Sequence, residues 1–66
     1  MEKMNFGQVA RRKRKELGLS LEKASELCGM SYKGLEEIEL GASDPKLSTV
    51  LKISEALELD LDVITN

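Results

Sequence analysis

The sequence predicts an all-α fold, and three observations carry that prediction. Apolar residues recur at spacings of three and four through most of the chain, the period of one helix face. Most such runs are preceded by Asn, Ser or Asp and several are closed by Gly, the residues that start and stop helices. The composition agrees: among 66 residues, 27 are hydrophobic and 11 of those are Leu, with one Phe, one Tyr and no Trp. That mixture suits a helical bundle better than a sheet built from aromatic and β-branched residues. A chain of this length makes one small domain, residues 1–66, or one module of a longer protein, near the lower limit for a core that folds without staples.

The stretch from Leu19 to Gly41 organises the rest. Ser20 caps a helix whose Leu21, Ala24, Leu27 and Cys28 fall on one face, and Gly29 stands where that helix must stop. Ser31 caps a second helix with Leu35 and Ile38 directed inward and Tyr32, Lys33, Glu36, Glu37 and Leu40 left pointing elsewhere. Gly41 closes it. Two helices of about two turns are too short to stand alone, so they must rest on others. The arrangement is a helix-turn-helix, with its core at about residues 20–40.

The flanking elements follow in order. After Met1 to Met4, a short lead-in, Asn5 and Gln8 form a capping box for a first helix with Phe6, Val9, Ala10, Lys13 or Arg14, and Leu17 on one face, ended by Gly18. Arg11, Arg12, Lys13, Arg14 and Lys15 are consecutive, and five cations at about 100° per residue cannot share one side. One must look toward the core and need an acid there; Arg14 with Glu39 is the expected pair. The others form either a solvated face or a phosphate-steering surface. Gly34 either permits a partner's close approach or is tolerated inside its helix. Ala42 to Pro45 is a loop, and a fourth helix runs from about Leu47 to Leu57 with Leu47, Val50, Leu51, Ser54 and Leu57 inward. Asp60 caps a fifth, Leu61 to Thr65, whose Leu61 and Ile64 either close the core or form a two-fold dimer contact.

Charge and chemistry narrow the function. The formal net charge is -2, but residues 1–33 hold eight basic and four acidic side chains and residues 34–66 two and eight, giving +4 and -6. Such polarity suits a phosphate backbone on one side, or a protein partner. With no His and a single Cys28, expected to be buried, no nucleophile and base pair suggests itself, and no cofactor, metal site or small-molecule substrate is expected. The Gly29 and Gly34 spacing matches a phosphate loop only until Leu35-Glu36, where Lys and a hydroxyl residue are needed. The reading is a non-enzyme. A lone cysteine and the lack of a long apolar run suggest a soluble, reducing, cytoplasmic setting with no membrane partner.

The ordered pattern then suggests a family. Arg14 to Ser20, Ala24, Leu27, Gly29, Ser31, Leu35, Ile38-Glu39, Gly41, Pro45 and Leu51 to Leu57 together resemble the Cro and phage-repressor (XRE-type) class of helix-turn-helix DNA-binding domains, over about residues 5–64. The resemblance implies a compact, five-helix, lambda-repressor-like domain. In it, residues 21–28 would cross the DNA backbone and residues 32–40 would enter the major groove. By position, Tyr32, Lys33, Glu36 and Glu37 would face base edges, and Ser20, Lys23, Ser31 and Lys46 would lie near phosphates. It also implies that Arg14 and Glu39 form an ion pair tying the first helix to the recognition helix. Double-stranded DNA is the implied partner and a homodimer the implied form.

Three positions depart from that pattern. Leu21 stands where relatives usually have a phosphate-holding Gln, and Leu cannot donate that hydrogen bond. The loop at Asp44 offers an acid where relatives commonly place a cation or Asn. Glu36-Glu37 puts carboxylates on the reading face, able to accept from cytosine N4 but repelled by phosphates. The leading expectation is a sequence-specific transcriptional regulator, a repressor acting by occupying a promoter. The alternative is a protein-interaction module, an antagonist or adaptor on the same scaffold.

Overall fold

The computed structural model describes residues 5–59, and within them the chain forms four helices and no strand. They are α1 (Phe6–Glu16), α2 (Leu21–Cys28), α3 (Tyr32–Leu40) and α4 (Leu47–Ala56). The expected fifth helix, with Asp60, Leu61 and Ile64, and the lead-in Met1 to Met4 lie outside the described residues.

Local chemistry sets the first three helix starts. The Asn5 side chain accepts from the Gln8 amide at 2.9 Å, and the Gln8 side chain accepts from the Asn5 amide at 3.0 Å, a complete capping box. Ser20 and Ser31 each accept a backbone N–H three residues on, from Lys23 and Gly34, both at 3.0 Å. At the end of α2, Gly29 takes φ +68°, a left-handed conformation, and the next amide, of Met30, donates back to the Ser25 carbonyl at 3.0 Å. That reversal leaves room for only Met30 and Ser31 before α3 begins. By contrast α4 starts at Lys46 with no side-chain cap.

The core is Ala10 from α1, Ala24 and Cys28 from α2, Leu35 and Ile38 from α3, Ile53 from α4 and Leu57 just after it. Leu35, Ile53 and Leu57 are the largest side chains wholly removed from water, each contributing roughly 1.5–3 kcal/mol by burial. α3 packs against α1 and α2, and α2 also packs against α4. The approach of α1 to α3 is unusually close. A Cβ added at Gly7 would fall 2.0 Å from the Ile38 carbonyl oxygen and 3.2 Å from Glu39 Cα, so only glycine lets the two backbones meet there.

Four expected core leucines sit at the surface instead. On α2, the buried arc runs through Ala24, Ser25 and Cys28, and Leu27 lies about 110° from its centre, 51% exposed. On α4 the inward stripe is Ile53, Ser54 and Leu57 with half-buried Val50. Leu51, about 110° away, and Leu47, in the first turn, are therefore 45% and 73% exposed. Val50, Ser54 and Leu57 stay inward as expected, while the stripe is rotated toward Ile53, which is not among its expected members. Leu17 follows the last residue of α1 and is 41% exposed, because the chain reverses at Gly18 before anything covers it.

Ser54 was expected to face inward and does, but its Oγ is buried without a hydrogen-bond partner. An unsatisfied buried hydroxyl costs free energy that a methyl would not. Ser54→Ala should therefore raise unfolding stability by about 1 kcal/mol in denaturant titrations, and a loss of stability would show that the hydroxyl is satisfied in solution. Gly7→Ala should do the reverse. Forcing a methyl against the Ile38 carbonyl should cost about 2 kcal/mol and lower the thermal midpoint by roughly 10 °C. An unchanged midpoint would mean that α1 and α3 can separate freely.

Candidate nucleic-acid interface

The face presented by the helix pair begins with how α3 is mounted. Arg14 Nε donates to Glu39 Oε2 at 2.9 Å and Nη2 donates to Oε1 at 3.0 Å, a two-pronged pair between α1 and α3. Nη1 donates to the Leu19 carbonyl at 2.9 Å, which adds the connection between α1 and α2. The two side chains are only 12% and 4% exposed. A buried pair of this kind fixes geometry more than it adds net stability, because desolvation offsets much of the attraction. Its carboxylate also reaches Cys28: burial, and secondarily the Glu39 charge, push that thiol up from its ordinary value. Cys28 is thus a protonated, buried packing residue rather than a reactive one.

With Leu35, Ile38 and Glu39 buried, the opposite side of α3 is presented to solvent. Lys33, Glu37 and Leu40 lie nearest its centre, and all three are exposed, Leu40 by 70%. Tyr32, 49% exposed, and Glu36, half-buried, stand on its flank. The structure therefore places Tyr32, Lys33 and Glu37 on an open face, and sets Glu36 further back, in a crevice with Arg11, Arg14, Leu21, Glu39 and Leu40. Leu40 belongs to this face, on the outward side where its position along α3 puts it.

The expected phosphate-side residues are spread along the edges of the same unit. Ser20 and Ser31 are exposed, and each uses its oxygen to cap a helix while keeping a hydroxyl proton to donate. Lys23 is exposed and stands 3.9 Å from Glu26, a loose surface pair that leaves its ammonium available. Lys46 is exposed at the uncapped start of α4. Gly34 has ordinary helical geometry, and its role is local: a Cβ there would come within 3.0 Å of Ser31 Oγ, the oxygen that caps α3. Arg11, Arg12 and Lys15 are exposed on α1, with Lys13 half-buried.

Among the described residues there is no group of His, Cys, Asp or Glu arranged to hold a metal ion, and no helix long and apolar enough to cross a membrane. What the geometry offers is a rigidly mounted, two-turn helix with polar and charged side chains directed outward, preceded by a second helix set across a tight turn. That is the architecture of a helix-turn-helix unit. A helix-turn-helix family model matches residues 11–64, and the chain belongs to that family, of the XRE type with Cro-like members. The family is one of DNA-binding regulators. No characterised relative matches the sequence.

Removing one partner of the buried pair tests the mounting. Glu39→Ala leaves the Arg14 guanidinium half-buried and unpaired, and should cost about 3 kcal/mol in chemical denaturation. A loss below about 1 kcal/mol would show that Arg14 finds water or another acceptor as readily.

Proposed function

We propose that this protein is a sequence-specific DNA-binding regulator that reads the major groove with α3. The observation that carries the reading is the mounting of α3: its inner side is locked by Arg14, Glu39 and the Gly7 contact while Lys33 and Glu37 stand fully outward. A preorganised reading helix loses little freedom on binding, so its side chains can discriminate between bases. In this reading Tyr32, Lys33 and Glu37 approach base edges, with Glu36 behind them, while Ser20, Lys23, Ser31 and Lys46 lie along the phosphates. Glu37 accepts from cytosine N4, and Lys33 donates to guanine O6 or N7. The molecule acts as a homodimer on two half-sites about 34–36 Å apart, through the segment holding Leu61 and Ile64, and represses by occupying a promoter.

A second reading is favoured by one observation. Leu40 and Leu21 put exposed or half-exposed apolar surface beside the reading face, alongside Glu36 and Glu37. That combination suits a basic, partly apolar protein surface as well as DNA, and the domain would then be an antagonist or adaptor.

Selection from a randomised duplex pool at low salt separates the two. DNA reading predicts an enriched palindrome, a Lys33→Ala variant weakened about tenfold, and a changed base preference for Glu37→Gln. No enrichment by a folded domain would favour the protein-interaction reading. An enriched site whose preference neither variant alters would move the reading face away from α3.

A further inference from the structure

The crevice that holds Glu36 is lined from three directions. Arg11 and Arg14 come from α1, Leu21 from the first turn of α2, and Glu36, Glu39 and Leu40 from α3, around a volume of about 160 Å³. Its four charges are two cations and two anions on facing helices. They are not equivalent. Arg14 is largely committed, with Nε, Nη1 and Nη2 each donating once within the protein, and both oxygens of Glu39 accept from it. Arg11 and Glu36 are the pair left over, one exposed and one half-buried, and among the described residues neither takes part in an ion pair. The Gly7 contact and the Arg14 clamp hold α1 against α3, so these two opposite charges are kept near one another without closing.

We infer that Arg11 is the phosphate anchor of this crevice and that Glu36 is its internal competitor, so that DNA engages Arg11 against the pull of Glu36. The inference rests on the DNA-binding reading above. A phosphate at this crevice meets Leu21, whose side chain has no donor, and Arg14, whose three nitrogens already donate within the protein and whose side chain is only 12% exposed. Arg11 is then the cation of the crevice with a guanidinium to offer. Glu36 attracts the same guanidinium and repels the same phosphate, and its half-buried position makes both effects stronger than on an open surface. This arrangement penalises loose contacts more than close ones. A duplex held only by its backbone bears the whole cost of bringing a phosphate up to Glu36, whereas a well-fitted site offsets it with base contacts, so Glu36 acts on selectivity without touching a base.

The test is a double-mutant cycle on binding to an enriched duplex and to an unrelated one, each across a salt series. The proteins are wild type, Glu36→Gln, Arg11→Gln and the double variant, with denaturation midpoints measured for all four. Glu36→Gln should tighten binding to the unrelated duplex about tenfold and to the enriched one less, narrowing the ratio between them. Arg11→Gln should weaken both and reduce the salt slope by about one. In the double variant the gain from Glu36→Gln should largely disappear, a coupling of about fivefold or more. An equal gain with and without Arg11 would reduce Glu36 to a general surface repulsion and overturn the inference while leaving DNA binding intact. Equal tightening on both duplexes would overturn the selectivity role. A folded wild type that binds neither duplex at low salt would overturn the DNA reading and this inference together.

Discussion

The structure depends on one buried ion pair used as a bracket. Arg14 spends its guanidinium on three acceptors from two places, the Glu39 carboxylate on α3 and the Leu19 carbonyl in the connection that leads into α2. A single side chain thereby relates α1, α3 and the connection that leads into α2. The hydrophobic core alone would not do this, since burial is non-directional and an apolar interface tolerates sliding. Directional, charge-assisted hydrogen bonds supply the register that the leucines and isoleucines leave open.

The Gly7 contact complements that bracket. Where Arg14 restricts α3 from one side, the close passage of the Gly7 backbone against Ile38 and Glu39 brings the two helices nearer than side chains would permit. Together they make the outward side of α3 a fixed surface, and fixed surfaces discriminate better than adaptable ones because less freedom is lost on contact. The same rigidity defines the crevice at its edge, where Arg11 and Glu36 are neighbours by construction rather than by attraction.

Much of this was legible in the chain itself, and what was not has physical causes. Asn5 with Gln8, Ser20 and Ser31 announce helix starts through short-range hydrogen bonds, and Gly29 announces a stop, so the boundaries of α1 to α3 could be read from neighbours in sequence. Arg14 and Glu39 could be matched because a charge pointing at the core must find its opposite. The phase of α4 could not be read this way. Leu47, Leu51 and Ile53 support two overlapping stripes, and the packing of α1 and α2 against α4 decides for Ile53. Leu27 fails for the same reason, since its spacing from Ala24 is helical but lies on the wrong side of the arc that Ser25 completes. Gly7 and the crevice position of Glu36 depend on where a distant helix passes, which no local spacing encodes. The presented face was legible in outline, Leu40 included, as the positions left over once Leu35 and Ile38 are turned inward.

The bare start of α4 has a consequence for how the molecule moves. Helices α1, α2 and α3 carry side-chain caps of their own, whereas α4 begins at Lys46 without one and is held chiefly by Ile53 and Leu57, near and beyond its far end. The first turn of α4, with Leu47 largely in water, is therefore the most weakly tied helix start among the described residues. Such fraying leaves α2, α3 and the Arg14 bracket undisturbed. Local breathing and the geometry of the presented face are thus assigned to different parts of a very small protein, so thermal motion at one end need not blur the shape offered at the other.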